Sequence, residues 1–373
     1  MISRPKIKEV YEVLCLPARI RIGMGFGYAI EIPDPEGKFT PLIQLLDGSH
    51  DLLEIIAELK DLLTEQEVQD GVQLLLEEGY LEDAAVPPPS LFSERELQRY
   101  RVNLNYFSTL CKGFESKYDY QMKLKNTRVL LFGLGGIGSN VCMALAELGI
   151  GHVTAVDFDR VELHNLNRQV LYSTETVGQL KTEVATSRIA DFNPDIVFEA
   201  INHRIQSLQE VRSILDAHPC DIVVHAADRP MGFIDNWVNE ACVERGIPLF
   251  AGAIGKQNGF IYSVIPGETA CYNCKALQET EAAPHLVEEI EFVRKHSISA
   301  RNGALGPACM FAAYMLSYEI LRHHLKIAPL ITYNCTLVIN CMTFKQEYYH
   351  FKKHDTCPVC SKVGEKQRDA LSI

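Results

Sequence analysis

The sequence predicts an α/β protein, a doubly wound sheet with a small α+β domain ahead of it, and three observations carry that reading. From Thr127 onward the apolar runs RVLLF, HVTAVDFD, DIVVHAAD and PLFAGAI are separated by helical stretches, the rhythm of buried parallel strands with crossover helices. The first run leads into Gly133-Leu134-Gly135-Gly136-Ile137-Gly138, a turn that opens a helix. Before the stiff Pro87-Pro88-Pro89 segment the pattern changes to two short alternating strands followed by three helices.

Those leading elements can be placed one by one. Arg19–Gly23 and Tyr28–Ile32 alternate apolar and polar residues, and Gly23, Gly25 and Gly27 between them read as turn positions. Helices follow over Pro41–Leu46, Asp51–Leu59 and Thr64–Gly79, with Asp47-Gly48 breaking the first from the second. Ser93–Leu110 reads as one amphipathic helix that starts with Ser93 and Glu96 in capping-box spacing. The expected division is 1–86, a linking and helical segment over 87–120, and the large domain over 121–373.

A chain of 373 residues with 47% hydrophobic residues can bury one large core and a small second one. The net charge of −12 argues against a nucleic-acid binder, which needs a basic surface. The longest apolar stretch, Ala308–Tyr318, is too short and interrupted to span a bilayer, so no membrane is expected. The first residues carry no apolar signal core, and the expected address is cytoplasmic. There, the twelve cysteines read as reduced thiols or metal ligands.

In the glycine turn, Gly133 permits the sharp bend, Gly135 lets phosphate oxygens approach the backbone, and Gly138 lets the helix pack against the strand. The helix N-terminus beyond Gly136 then offers its amides to phosphate. Asp157, 19 residues past Gly138, ends the next strand, where its carboxylate can accept the ribose hydroxyls. This much fits any dinucleotide or nucleotide. The following run, Asp157-Phe158-Asp159 through Asn165-Leu166-Asn167-Arg168-Gln169 to Lys181, adds cations suited to a triphosphate with roughly three to four negative charges. Arg168 offers a fork, Lys181 a point charge, and Asn165 an amide donor. Asp228 ends the DIVVHAAD strand, where it either holds Mg²⁺ against the phosphates or caps the next helix; Asp159 is a second candidate for the ion.

Cys271-Tyr-Asn-Cys274 and Cys357-Pro-Val-Cys360 are knuckles separated by 82 residues. Four thiolates close a tetrahedral Zn²⁺ site with no open position, which braces a fold and does no chemistry. The stretch 275–305, with Glu279, Glu281, Glu288, Glu289 and Glu291, reads either as a loop crossing over a substrate or as a solvated acidic face.

Together the glycine turn, the DFD…NLNRQ…K run, Asp228 and the paired knuckles resemble the ubiquitin-activating-enzyme-like (ThiF/MoeB/HesA) superfamily over about Glu94–Cys360. RYRVN at 99–103, NLNRQVLYS at 165–173, KTEV at 181–184 and the pair ADRP and NWVN resemble the microcin C type of peptide adenylyltransferase. The LIQLLDG…LLEIIAEL…VQLLLEEGYLE run looks like the winged-helix-like leader-peptide domain of such enzymes. The resemblance implies a homodimer that spends ATP, or another nucleoside triphosphate, with Mg²⁺ and a structural Zn²⁺, on the carboxylate of a ribosomal precursor peptide whose leader is held by residues 1–86. It implies Arg168, Lys181, Asp228 and Asn165 as catalytic groups, with Gly133, Gly135, Gly136, Gly138, Asp157, Asp159 and Gln169 around the nucleotide. Where the family has RYxRN, with an arginine reaching the partner's phosphates, Val102 stands here, so Arg101 or Arg99 would substitute. His164 replaces a usual Ser or Thr, and Arg229 a frequent Asn. Alternatives that keep the fold are ring closure within the peptide, activation of a ubiquitin-like sulfur carrier, or a scaffold that presents the leader without catalysis.

Overall fold

The computed structural model describes residues 2–25, 29–285, 288, 289, 292, 296 and 303–361. They form two compact units, Met1–Lys123 and Leu124–Ile373.

In the first unit β1 (Pro5–Ile7) pairs antiparallel with β5 (Leu81–Asp83), while β2 (Val13–Leu16), β3 (Arg19–Ile22) and β4 (Ile30–Pro33) make a separate antiparallel sheet. Helices α1 (Thr40–Leu45), α2 (Leu52–Leu59) and α3 (Glu65–Glu77) lie within a residue or two of the ranges read from periodicity. Capping boxes start two of them, Asp51 with Glu54 and Thr64 with Glu67. Ile20 and Ile22 of β3 are fully buried with Leu42, Ile55, Val68 and Leu76, each burial contributing about 1.5–3 kcal/mol. The expected strand at Tyr28–Ile32 begins at Ile30; Gly27 and Tyr28 lie outside the described residues.

The single helix expected over Ser93–Leu110 is two, α4 (Glu94–Arg99) and α5 (Arg101–Ser108). They break at Tyr100, whose backbone leaves helical values (φ −93°, ψ 11°) as its side chain is buried. Helix α6 (Lys117–Lys125) leads on to the second unit. The 87–120 stretch is fastened to the N-terminal elements by Lys8. Its buried Nζ donates to the carbonyls of Gly79 (2.7 Å), Ser108 (2.8 Å) and Cys111 (2.7 Å). Burial lowers the Lys8 pKa, and the three carbonyls keep its charge solvated by backbone in place of water.

The second unit is one eight-stranded sheet. Its parallel part comprises β6 (Arg128–Phe132), β7 (His152–Asp157), β8 (Val197–Asn202), β9 (Ile222–His225) and β10 (Leu249–Gly255). An antiparallel wing of β11 (Asn258–Val264), β12 (Cys335–Asn340) and β13 (Gln346–His350) extends it, giving the order β13-β12-β11-β10-β9-β6-β7-β8. Neither the wing nor β8 stood out in the sequence. VFEAIN of β8 mixes polar residues into an edge position, and QEYYH of the mostly exposed β13 has no aliphatic residue.

Helices cover both faces. Helices α7 (Gly136–Leu148), α8 (Lys181–Phe192) and α12 (Gly306–Leu325) pack on one, with α12 laid along α7, β10 and β11. Helices α9 (Leu208–Ala217), α10 (Ile234–Arg245) and α11 (Tyr272–Ala282) cover the other, around Leu130, Phe132, Val223, Val238 and Leu249. Because β6 is flanked by β7 on one side and β9 on the other, the connections diverge at its C-terminal end and leave a crevice there. Among the described residues, no helix is long and apolar enough to cross a membrane.

Candidate functional site

The crevice is built on the glycine turn. Gly133 sits at φ 92°, and a side chain there would press within 2.8 Å of the Ala226 carbonyl. At Gly138 an added Cβ would lie 1.8 Å from the Gly133 carbonyl, so only glycine lets α7 begin so close to β6. The turn is pinned from two sides. One Asp157 oxygen accepts the Leu134 N–H (2.6 Å), and the Tyr172 hydroxyl donates to the Leu134 carbonyl (2.9 Å). Burial drives the Tyr172 pKa far up, so this phenol stays a donor. The other Asp157 oxygen accepts the Asp159 N–H (2.8 Å). Asp157 is therefore first a brace for the turn, and the ribose contact expected of it must use its remaining lone pairs.

A cavity of about 480 Å³ opens over this turn, and Arg168, Lys181, Asn165, Gln169, Asp157, Asp159 and Asp228 all line it. Asn140 donates to the carbonyls of Gly136 (2.6 Å) and Arg168 (2.9 Å), which ties the cation's backbone to the helix start. The Arg168 side chain crosses the turn, with its Nε 3.3 Å from where a Gly136 Cβ would stand. It donates through Nη1 to Asn167 (2.8 Å) and the His164 carbonyl (3.1 Å). Asn165 is buried, its Oδ1 accepting the Glu162 N–H (3.0 Å), which turns its amide nitrogen to other use. Gln169 is buried with its Oε1 unpartnered among the described residues.

Lys181 is the first residue of α8 and almost wholly buried. A cation at a helix N-terminus opposes the macrodipole. Its Nζ is held 2.9 Å from Asp159, whose own side chain is half exposed. Asp159 is thus engaged as the counter-ion of Lys181. Asp228 is exposed at the cavity wall. It caps nothing: α10 starts at Ile234 with Phe233 at its N-cap. Arg101 belongs to the first unit, exposed on α5 beside the outward Val102, and Arg99, the last residue of α4, is likewise exposed. His164 is exposed, 3.4 Å from Glu162.

The four knuckle cysteines converge elsewhere in the second unit. Sulfur separations are 3.9 Å for Cys271–Cys274, 3.6 Å for Cys271–Cys357 and 3.2 Å for Cys274–Cys360, and all four sulfurs lie within 4.8 Å of one another. Tetrahedral Zn²⁺ with bonds of about 2.3 Å sets its sulfurs about 3.8 Å apart, so the donor set fits that ion. The His354 N–H donates to Cys274 Sγ (3.4 Å).

A ThiF family model matches residues 107–359, spanning the turn, the cation run, the first knuckle and the start of the second. The chain belongs to the ThiF family. The molybdopterin-synthase adenylyltransferase of Escherichia coli K12 is 35% identical over 198 residues, 52% of this chain and 74% of that one. The crystal structure of E. coli MccB with ATP shares the fold over 95% of this chain and 99% of its own, at 22% identity and a TM-score of 0.73. MccB has also been solved with AMPCPP and MccA, at the same TM-score. The structure of PaaA gives a TM-score of 0.73 at 20% identity, over 93% of this chain and all of that one. This ThiF-family chain accordingly takes its place among ATP-dependent adenylyltransferases.

Sequence reasoning passed over other lining groups. Phe158 follows β7, and Arg204 and Ile205 follow β8; they line the same cavity. The rule that strand C-termini face the ligand would have found them once β8 was recognised. Cys309 of α12 also reaches the turn, its sulfur 3.1 Å from a Gly136 Cβ position, and no motif signals it.

Proposed function

We propose that this chain uses ATP, or another nucleoside triphosphate, to activate the carboxylate of a ribosomally made precursor peptide and releases pyrophosphate. The observation that carries the reading is the convergence of Arg168, Lys181 and Asp228 on the cavity over the glycine turn. A carboxylate oxygen of the peptide attacks the α-phosphorus, the bond to the bridging oxygen breaks, and pyrophosphate leaves with the electron pair. The α7 amides and Gly135 backbone cradle the phosphates, and Arg168 sits over the turn to neutralise charge on the departing group. Lys181 has its partner Asp159 half exposed, so it can exchange that carboxylate for phosphate. Asp228, a hard oxygen donor exposed at a strand end, would hold Mg²⁺. When bound, that ion shields negative charge on the phosphates.

The peptide identity is supported by the fold shared with MccB, solved with MccA, and by the first unit, whose edge strands β2 and β4 can take up an extended leader. A homodimer belongs to the same reading. Met310, Tyr314 and Tyr318 form a part-exposed stripe at i, i+4 and i+8 on α12, a face suited to a second copy. The reaction would run in the cytoplasm, where thiols stay reduced for zinc. A nucleotide-linked product, a ring closed within the peptide, and peptide presentation without catalysis are distinguished by one assay. Full-length protein, nucleotide and a short peptide encoded beside its gene should yield pyrophosphate, and Arg168→Ala or Asp228→Ala should lower that yield by about 10²–10³-fold. Peptide binding with no pyrophosphate would make the chain a scaffold, and the peptide's mass after turnover separates linkage from ring closure.

A further inference from the structure

Of the arginines that line the cavity, Arg204 is set apart by the aromatic ring it lies over. It is exposed and, like Arg229 in the same lining, its guanidinium makes no ion pair or hydrogen bond among the described residues. Its one contact is with a ring: the guanidinium carbon lies 5.1 Å from the centroid of Phe158. The two residues follow neighbouring strands, β7 and β8, which are in register through Asp157 and Asn202. Both line the cavity with the buried Ile205 beside them.

The sugar and phosphate end of the cavity is fixed by Asp157 and the glycine turn. A nucleotide laid from that turn across Asp157 therefore delivers its base to the ends of β7 and β8, onto Phe158, Arg204 and Ile205. An arginine whose polar neighbours are absent can lift from the Phe158 ring without breaking any bond and settle over a base that enters. Beyond it a second cleft, lined by Arg204, Ile205, Gln206, Phe233 and Trp237, leaves room for the far edge of a large base.

Resting on the nucleotide-activation reading, we propose that Arg204 is a specificity-determining residue, which selects purine over pyrimidine nucleotides by closing over the base opposite Phe158. A two-ring base anchored at the Asp157 position spans the Phe158 ring and reaches the guanidinium. A one-ring base anchored at the same sugar ends on Phe158 and leaves Arg204 where it is. Stacking does not read the exocyclic groups, so ATP and GTP share this contact.

The test is calorimetric binding of α,β-methylene ATP, GTP and CTP to the full-length protein and to Arg204→Ala and Arg204→Lys. The unaltered protein should bind ATP about tenfold or more tightly than CTP. Arg204→Ala should lose about tenfold for ATP and GTP and less than twofold for CTP, with Arg204→Lys in between for the purines. An equal loss for all three nucleotides, no loss for ATP, or no purine preference in the unaltered protein overturns the proposal. CTP binding serves as the internal control for folding. Because binding is read without turnover, a failure of the carboxylate-activation reading shows separately, as absence of peptide-dependent pyrophosphate release while purine binding persists.

Discussion

In the cysteine cluster four donors point at one spot from within the apolar core; in the nucleotide cavity charged and polar groups line a space and several are left incompletely matched. Cys271, Cys274 and Cys357 are buried and the sulfurs sit at tetrahedral spacing. Around the cavity, Lys181 is buried against a helix dipole, Gln169 keeps a buried oxygen without a partner among the described residues, and Asp228 stands exposed. A closed donor set has nowhere to admit a substrate, so its contribution is to folding. An open set with unmatched groups is less stable than it would be with apolar residues, and what it gains is affinity for a highly charged ligand. The same kinds of atoms thus serve stability in one place and chemistry in the other.

The sharpest way to break that contrast is to attack the cluster. Cys274→Ser, or stripping metal with a strong chelator, should collapse the second unit, because zinc-binding free energy is folding free energy and reaches about 10 kcal/mol or more in small structural sites. The loss should appear first as a fall in Tm or as aggregation, with pyrophosphate release lost in step with folded protein. If metal is fully removed and the fold and activity both persist, the cluster has no bracing role.

Lys181→Met tests the opposite corner. It removes a buried cation from a helix N-terminus and leaves Asp159 half exposed to water. Stability should stay level or rise by up to about 1 kcal/mol. Pyrophosphate release should nonetheless fall by about 10²-fold, since the triphosphate loses a point charge. A parallel drop in stability and activity would turn Lys181 into a structural residue and blur the distinction between the two sites.

Much of this contrast was legible in the sequence because each site is written in residues close together along the chain. The glycine turn, the run from Asp157 to Lys181 and the two knuckles each occupy short segments whose spacing has a geometric meaning. What sequence missed depends on pairing between distant segments. Asp157 turned out to brace Leu134, and Asp159 to neutralise Lys181, because both carboxylates meet partners more than twenty positions away. The break at Tyr100 escaped periodicity, since apolar spacing continues across it while only the backbone turns. The antiparallel wing was invisible for a related reason. β11 follows β10 through a two-residue turn at Lys256-Gln257, but its other partner, β12, begins only at Cys335, so the wing exists as a pairing of distant segments. Stretch 275–305 resolves in part: residues to Ala282 form α11, and Glu291 lies outside the described residues.

The gentlest probe concerns a carboxylate that belongs to neither site but holds the loop carrying Asp228. His225, buried at the end of β9, places Nε2 3.1 Å from Asp235 in the first turn of α10, and so clamps both ends of the segment between them. Burial pushes the Asp235 carboxyl up, yet the hydrogen bond and charge of His225 outweigh it, and its pKa ends below the usual carboxylate range. A carboxyl depressed in the folded state contributes stability that is present above its unfolded pKa, near 4, and is lost as pH falls through the lower folded value. Thermal unfolding followed from about pH 5 to about pH 3, the carboxylate range, should therefore show a steeper fall in Tm for the unaltered protein than for Asp235→Asn. The difference should be small, about 2 °C, because one clamp in a chain this long shifts Tm little. Identical slopes would mean that the pair does not couple protonation to folding, and the Asp228 loop would then owe its position to the apolar packing of Ile234 and Val238 alone.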